Sequence, residues 1–337
     1  MRNSKKDMSS EVLNAKIRDR GRAVLGRFSE VTKLGVADRG LISMIEEVVT
    51  YWPSLLRPAL TSFCCEAVGG ESSLIIDAGV VLNLFDAGLS IHDDIIDKTL
   101  KKRFRMTILG SRGLENSVLL GDLFIVKAWS LICKMMDKNN YSTISSFGKL
   151  YENFFIEMCE GEIAEISCRM NFDTSLEVYQ QILMQINSGL RACAHLGGLL
   201  GGATKKQVMI LSEFGKSLSL MFGLKDDLID SLNIEGYLLH RIRNESVPFP
   251  LLFAAKSPEN LSEIRSIINN PSIASFDVQK LSKICLEAKA FIHLAKVVNE
   301  EAQKAHCLLN SLEPTSAREI LRSLVNDTNK LVLNLSS

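Results

Sequence analysis

Two groups of aspartates have the residue type and the spacing to hold a metal ion. Asp93, Asp94 and Asp97 end a largely apolar stretch that begins near Leu74. On a helix, residues three and four positions apart lie on one face, so these carboxylates crowd together and repel one another. Hard divalent cations prefer carboxylate oxygens, and Mg²⁺ keeps open positions for water or phosphate. The spacing predicts a magnesium-binding helix end; the simpler interpretation is a solvated acidic surface.

The same pattern recurs at Asp226, Asp227 and Asp230, which end a second apolar helix predicted over residues 211–224. The two clusters lie about 130 residues apart. Two carboxylate walls that face each other across several metal ions form a cage whose natural ligand is a diphosphate. The recurrence favours metal binding over two unrelated acidic surfaces.

A basic stretch directly follows the first aspartate cluster. Its cations are Lys101, Lys102, Arg103 and Arg105, four within five residues. Arginine suits forked contacts to phosphate, and lysine acts as a point charge. We interpret the stretch as a loop that grips the phosphates held by the metals; the alternative is charge balance at the surface.

Helical periodicity runs nearly throughout the chain and predicts one all-α domain over residues 1–337, with residues 1–8 loose. After a first helix capped by Ser9 or Ser10, helices are expected over residues 38–51, 54–68, 74–98, 116–136, 141–168, 176–200, 212–230, 276–309 and 315–335. The glycine-rich segment 196–203 is expected to allow close contact between helices.

Composition narrows the possible functions. The chain is 46% hydrophobic, enough for a large core, and its formal net charge is zero, which gives no basis for nucleic-acid binding. None of its eight cysteines forms a Cys-x-x-Cys pair, which fits free thiols in a reducing cytosol. The N-terminus lacks an apolar signal core, and no charge-free apolar run of about 18 residues occurs. We therefore expect a cytoplasmic location and no membrane span.

On these residues the chain resembles a divergent member of the trans-isoprenyl diphosphate synthases, also called polyprenyl synthetases. The resemblance covers residues 50–255. It rests on both aspartate clusters in order, on His92 before the first, on Gly121-Asp122, on Cys159-Glu-Gly-Glu162 and on the segment 214–222. It implies an all-α bundle around a deep central cavity, the isoprenoid synthase fold, and a homodimer.

The resemblance also implies a transferase of isoprenoid biosynthesis, a Mg²⁺-dependent prenyltransferase. An allylic diphosphate is expected between the two clusters, whose six aspartates are the expected metal ligands and catalytic residues, with about three Mg²⁺ ions per site. The metals draw charge off the departing diphosphate. Isopentenyl diphosphate then attacks the allylic cation, and loss of a proton completes the condensation.

By the same resemblance, the expected substrate-binding residues are Arg57, Lys102, Arg103, Thr107, Gln185 and His92. The chain departs from the family elsewhere. Ser54 stands where the family has lysine, Asp86 where it has histidine and Gly223 where it has glutamine. The loop after the second cluster is short, and Arg241 or Arg243 replaces its lysines. The pocket for the second diphosphate therefore keeps fewer cations, and Asp86 opposes a diphosphate unless a cation pairs with it.

The depleted second pocket leaves alternatives open. One is a terpene-synthase-like lyase, which ionises an allylic diphosphate and cyclises or quenches the cation. Another is a non-catalytic subunit that pairs with an active synthase, although a dead subunit has no need for six costly carboxylates. The last is an unrelated helical protein.

Product length is expected to depend on residues that precede Asp93 at helical spacing, namely Leu89, Gly88 and Phe85. Gly88 is expected to leave the first layer open. Phe85 is then the first bulky residue below it and sets a floor near C20 to C25; alternatively, Phe85 only packs against a neighbouring helix.

Overall fold

Apolar residues recur at helical spacing along most of the chain, and they form sixteen helices in the part that the structure describes. That part, in a computed structural model, comprises residues 8–51, 55–71, 73–102, 105–138, 141–270 and 275–336. The predicted all-α class is confirmed. The predicted loose N-terminal segment lies outside the described residues, apart from Met8.

Two compact units share the chain. Unit 1 consists of Met1–Asn153, Ala192–Ser212 and Leu309–Ser323, and unit 2 of Phe154–Arg191, Glu213–Leu308 and Leu324–Ser337. The single domain and the deep central cavity expected from the sequence stay predictions.

Unit 1 is built around one helix that is apolar on all sides. Its elements are α1 (Ser10–Lys33), α2 (Arg39–Tyr51), α3 (Leu56–Ala67), α4 (Ile75–Ile96), β1 (Lys101–Lys102), β2 (Arg105–Met106), α5 (Ile108–Arg112) and α6 (Leu114–Lys138). Every residue of α4 from 78 to 85 is buried, and α4 packs against α1, α3 and α6. A helix that is hydrophobic all round belongs in an interior. The helix predicted over 74–98 is therefore confirmed as a central element.

Unit 2 contains or shares the remaining helices, five of which have residues in both units. They are α7 (Tyr141–Ser167), α8 (Leu176–Ile186), α9 (Gly189–Leu200), α10 (Lys205–Ser231), α11 (Leu238–Asn244), α12 (Phe249–Ala254), α13 (Pro258–Ile268), α14 (Ser275–Glu287), α15 (Ala290–Asn310) and α16 (Ser316–Ser336). The five shared helices are α7, α9, α10, α15 and α16.

Two predicted helices are each divided in the structure. The segment 176–200 breaks at Asn187, whose carbonyl accepts a hydrogen bond from the Ser219 hydroxyl at 2.8 Å. Asparagine, serine and glycine in succession have low helix propensity, so the break costs little. The segment 276–309 breaks at Lys289, which has a left-handed φ of 58°. Hydrophobic periodicity continues across both breaks, which explains why it did not reveal them.

The glycine-rich segment does allow close helix contact, as predicted. Within unit 1, a Cβ atom on Gly197 would lie 2.6 Å from the Cβ of Cys64, and one on Gly201 would lie 2.8 Å from the carbonyl oxygen of Cys65. Both distances are shorter than real Cβ contacts, so only glycine fits where α9 meets α3.

α4 also bears on the question of a membrane. Among the described residues it alone combines the length of a span with a mean hydropathy of 1.4 over 18 residues, and 61% of that window is buried inside the protein. The core helix of a protein without membrane spans meets the same criterion. The absence of a span stays a prediction.

Candidate active site

In unit 1, the first aspartate cluster is held at the end of α4 by a hairpin that folds back on it. Lys98 takes a left-handed φ of 57° just after α4 ends, and the amide of Thr99 donates to the carbonyl of Asp94 at 2.8 Å. The chain then enters the β1–β2 hairpin. Lys102 on β1 thereby returns to the acids, with its Nζ 3.2 Å from Asp93 Oδ2 and 2.8 Å from Asp94 Oδ1.

The three acids of this cluster have different environments. The Asp93 side chain is about one third exposed, at 34%, whereas Asp94 is turned inward. Burial raises the pKa of Asp94, although the Lys102 ammonium pulls it down. Asp97, four residues after Asp93 and on the same helix face, is buried. Asp93 is the acid of this cluster most open to a ligand.

Thr107, which the resemblance implied as a substrate contact, lies directly after β2 and holds the loop in place. It is buried, and its hydroxyl donates to the carbonyl of Thr99 at 2.7 Å. The same oxygen accepts the amide of Gly110 at 3.1 Å and so caps α5. Both hydrogen bonds close the loop that carries Lys102.

His92 likewise serves the contact between α4 and α6. A Cβ atom on Gly121 would lie 2.5 Å from His92 Cδ2, so the imidazole lies directly against that glycine. The ring Nε2 is 3.4 Å from Asp122 Oδ1 and 3.4 Å from the carbonyl of Val118. The His92 imidazole, which we expected to bind substrate, therefore faces α6.

Gly88 corrects the predicted route of the product. A Cβ atom at this position would lie 2.8 Å from the carbonyl oxygen of Gly121 and 3.0 Å from Ile125 Cγ1. Gly88 therefore allows α4 and α6 to approach backbone to backbone, and it does not open a layer towards a product. A phenylalanine here would separate the two helices.

Phe85 lies in an aromatic cluster. Its ring stacks on Tyr151 with centroids 4.9 Å apart and meets Trp129 edge to face at 5.5 Å. Only 1% of Phe85 is exposed, whereas Leu89 and Ser90 on the next turn are partly exposed. Of the three predicted chain-length residues, only Leu89 is partly exposed, and it lies one turn before Asp93 on the same side of α4.

Arg57 is paired with the unusual acid at position 86. Its Nη1 donates to Asp86 Oδ2 at 2.9 Å, and the two side chains are 31% and 16% exposed. The Arg105 guanidinium lies over the Tyr51 ring at 3.7 Å, a cation–π contact. The other expected members of this pocket, Ser54 and Arg103, lie outside the described residues.

In unit 2, the second aspartate cluster ends α10 and separates into exposed and buried acids. The Asp226 side chain is 58% exposed and lies 3.1 Å from Lys225 Nζ. Asp227 is 2% exposed. Its Oδ1 accepts the Tyr179 hydroxyl at 3.1 Å, and its Oδ2 accepts the Phe249 amide at 2.9 Å. Asp227 is therefore held by the protein and is poorly placed to bind a metal.

Arg241 lies among four carboxylates, and we call this group the Arg241 cluster: Arg241, Glu165, Asp227, Asp230 and Glu245. Its Nη2 is 3.3 Å from Asp227 and 3.5 Å from Glu165, its Nη1 pairs with Glu245, and its Nε is 4.0 Å from Asp230 Oδ2. Burial raises the pKa of Asp227 to about 6 and that of Asp230 to about 7, against the opposing effect of the guanidinium.

The basic and polar residues expected near this cluster are engaged by the protein. Arg241 is interior, and Arg243 donates to the carbonyl of Ile268 at 3.2 Å. Gln185 packs on α7, since a Cβ atom on Gly161 would lie 2.7 Å from its Cβ. At Gly223 a Cβ atom would lie 3.1 Å from Asn187 Nδ2, so this glycine brings α8 and α10 together.

The aspartates at the two helix ends have the oxygen ligands that Mg²⁺ prefers. Among the described residues, no three His, Cys, Asp or Glu side chains converge to hold a metal by themselves. Mg²⁺, however, usually binds one or two carboxylates and completes its octahedron with water and phosphate oxygens. Asp93 and Asp226 each offer an accessible carboxylate of this kind. Each helix end, taken by itself, therefore offers a donor that fits Mg²⁺ bound together with a diphosphate, and Asp227 anchors the second helix end.

Comparison with known proteins identifies the family. The family model named polyprenyl synthetase matches residues 41–285. The short chain isoprenyl diphosphate synthase of Methanothermobacter thermautotrophicus is 23% identical over 294 residues, covering 85% of this chain and 89% of that protein. The octaprenyl diphosphate synthase of Escherichia coli is 26% identical over 283 residues, covering 80% and 84%.

A solved structure shows the same fold. A polyprenyl synthase from Caulobacter crescentus, crystallised with calcium and isoprenyl diphosphate, has a TM-score of 0.81 at 19% identity, covering 96% of this chain and 98% of its own. The chain belongs to the polyprenyl synthetase family, and it is a transferase of the prenyltransferase class. The resemblance drawn from the sequence is confirmed.

The raised pKa values of Asp227 and Asp230 predict how stability depends on pH without metal. Their ordinary value is 3.8, so between about pH 4 and 7 the folded protein holds more protons than the unfolded chain. The free energy of unfolding should therefore fall as pH rises through this window. Urea denaturation in EDTA at about pH 5 and pH 7.5 measures it. Asp230→Asn should flatten the dependence; an equally steep fall in this variant would contradict the assignment.

Proposed function

We propose that the chain is a Mg²⁺-dependent prenyltransferase that condenses an allylic diphosphate with isopentenyl diphosphate. The observation that carries the proposal is the arrangement of the aspartates at the ends of α4 and α10. Each bears an accessible carboxylate, Asp93 or Asp226, next to a carboxylate turned inward, Asp94 or Asp227. Such pairs offer oxygen ligands from a fixed backbone. Family membership and relatives that make prenyl diphosphates support it.

The residues of the chain divide the work. Asp93 and Asp226 would hold the metal ions, expected at about three, and Asp97 and Asp230 would assist from the same helix faces. Bound Mg²⁺ supplies Lewis acidity, which stabilises the departing diphosphate. Lys102 pairs with both Asp93 and Asp94, and its ammonium would pair with a phosphate oxygen if a metal bound these acids. The apolar side chains of α4 keep water away from the allylic cation.

The location we propose is the cytoplasm. All eight cysteines are free thiols, and Cys64, Cys65, Cys193 and Cys285 are buried. Free thiols fit a reducing compartment.

Metal dependence tests the main proposal. EDTA should abolish condensation, and added Mg²⁺ should restore it. Asp226→Asn should lower turnover by orders of magnitude, because it removes a ligand that positions the leaving diphosphate. Glu213→Gln, an exposed change on the same helix, is the matched control and should leave the rate unchanged. Radiolabelled product formation measures both; an Asp226→Asn enzyme near the wild-type rate would falsify the metal assignment.

The Arg57–Asp86 pair favours a second candidate function. An arginine that is already bound to a carboxylate at 2.9 Å offers less to a second diphosphate. The alternative is a lyase that ionises one allylic diphosphate without isopentenyl diphosphate. Inorganic pyrophosphate release from the allylic substrate alone, at the rate seen with both substrates, would establish the lyase.

Releasing Arg57 should separate the two functions further. In a condensing enzyme, Asp86→Asn frees Arg57 for a charge-assisted contact and should lower the KM for isopentenyl diphosphate by about tenfold. Asp77 lies on α4, as Asp86 does, and forms an exposed ion pair with Arg27 of α1. Asp77→Asn is therefore the matched control. Steady-state kinetics with the second substrate varied measures the effect. An unchanged KM in both variants would mean that Arg57 does not bind this diphosphate.

Product length is proposed at about C20 to C25, limited by Leu89 and the Phe85–Tyr151 stack. Leu89→Phe should shorten the product, because Leu89 is partly exposed one turn before Asp93. Phe85→Ala should lengthen it by one or more C5 units. Gly88→Phe should lower the unfolding temperature by forcing α4 from α6. Chromatography of the dephosphorylated products decides; a product shortened by Gly88→Phe but not by Leu89→Phe would reverse the two assignments.

We also propose that the enzyme is a homodimer, as the family resemblance implies. On α6 of unit 1, Leu119, Val126 and Trp129 are 66%, 63% and 36% exposed and lie on one face at spacings of seven and three residues. Exposed apolar stripes of this kind mark interaction surfaces. Val126→Glu should shift the mass measured by light scattering towards the monomer, whereas Val178→Glu on α8 should not. A monomeric wild-type protein would rule out the dimer.

A further inference from the structure

Arg241 occupies a position that no sequence pattern assigned to it. The resemblance implied that Arg241 or Arg243 replaces the lysines of the short loop after the second aspartate cluster; Arg241 does not extend from that loop towards a ligand. Instead, its side chain is 13% exposed and contacts carboxylates from three parts of unit 2: α7, α10 and the residue after α11. A guanidinium so placed has little surface left for a substrate.

Arg241 contacts Asp227 and Asp230 of α10 at different distances. Asp227 is fixed on both oxygens by Arg241 Nη2, the Tyr179 hydroxyl and the Phe249 amide. Asp230 is only 4.0 Å from Arg241 Nε, beyond hydrogen-bonding distance, and its side chain is 18% exposed. Within the described residues the buried Nε makes no hydrogen bond. Arg241 therefore attracts Asp230 by charge without occupying its oxygens.

The helix geometry connects these contacts to the metal site. Asp226 and Asp230 are four residues apart and share one face of α10, whereas Asp227 points about 100° away from Asp226. An anchor on Asp227 therefore fixes the rotation of the last turn, and this rotation decides where Asp226 and Asp230 present their oxygens.

We propose that Arg241 is a positioning residue for the second metal-binding helix end: it locks Asp227 in the interior and thereby aims Asp226 and Asp230 at the metal. The proposal rests on the proposed function, since it presumes that this helix end binds a divalent cation. Arginine is required because its planar fork reaches Asp227 and Glu245 from different nitrogens, which a lysine ammonium cannot do with the same geometry.

Direct metal binding tests the proposal without turnover, and inorganic pyrophosphate is present throughout to supply the remaining oxygen ligands. Mn²⁺, which prefers the same oxygen ligands, is titrated into the full-length protein and the free ion is counted by electron paramagnetic resonance. Arg241→Lys should weaken Mn²⁺ binding by about 10- to 100-fold, as is typical when a partner of a metal ligand is lost. Arg243→Lys, on the same helix but outside the Arg241 cluster, should leave the affinity unchanged.

The urea midpoint of each variant separates positioning from stability. If Arg241 only stabilises the fold, Arg241→Lys should lower the urea midpoint and leave the Mn²⁺ affinity of the folded protein unchanged. That result would overturn the proposal. If Arg241→Lys does not fold, Tyr179→Phe removes a single hydrogen bond from Asp227 and should still weaken Mn²⁺ binding several-fold. Unchanged affinity in a folded Tyr179→Phe protein likewise overturns it.

Asp226→Asn distinguishes this proposal from the proposed function. Loss of Mn²⁺ binding in Asp226→Asn together with normal binding in Arg241→Lys overturns the positioning proposal and leaves the metal site standing. Normal Mn²⁺ binding in Asp226→Asn overturns both, because no metal then binds at this helix end.

Discussion

The structure depends on a solution to the repulsion among carboxylates placed at the ends of apolar helices. A buried carboxylate without a partner costs several kcal/mol. Each cluster meets this constraint with a cation from its own unit. In unit 1 the cation is Lys102, on a two-stranded hairpin and one third exposed. In unit 2 it is Arg241, enclosed by acids and 13% exposed.

The two cations suit different duties. Lysine is a flexible point charge, and Lys102 can leave its acids when other ligands arrive because solvent already reaches it. The Arg241 guanidinium is forked, contacts several carboxylates at once and cannot leave without exposing them. The exposed lysine therefore suits a counter-ion that other ligands replace, and the enclosed arginine suits one that stays.

Sequence reasoning recovered the elements that repeat and missed those that depend on distant partners. Apolar periodicity predicted α4 and α10 because burial on a helix leaves a regular trace. The i, i+4 spacing of Asp93 and Asp97, and of Asp226 and Asp230, predicts that each pair shares a helix face, and their role as metal ligands stays a prediction. By contrast, Tyr179 and Glu165 come from helices far from Asp227 in the chain, and nothing in their local sequence indicates that they surround it. The same limit explains why the sequence did not reveal that Asp227 is anchored in the interior.

Gly88 shows a second limit of the same kind. A small residue on a helix face has two interpretations, space for a ligand or close approach of a backbone, and only the neighbouring element decides between them. Here α6 decides, since Gly121 lies opposite Gly88 and His92 packs on Gly121 one turn later. The motif residues His92 and Gly121-Asp122 are therefore parts of one helix contact. They hold the last turns of α4 against α6 just before Asp93, so a packing requirement fixes where the first carboxylate lies.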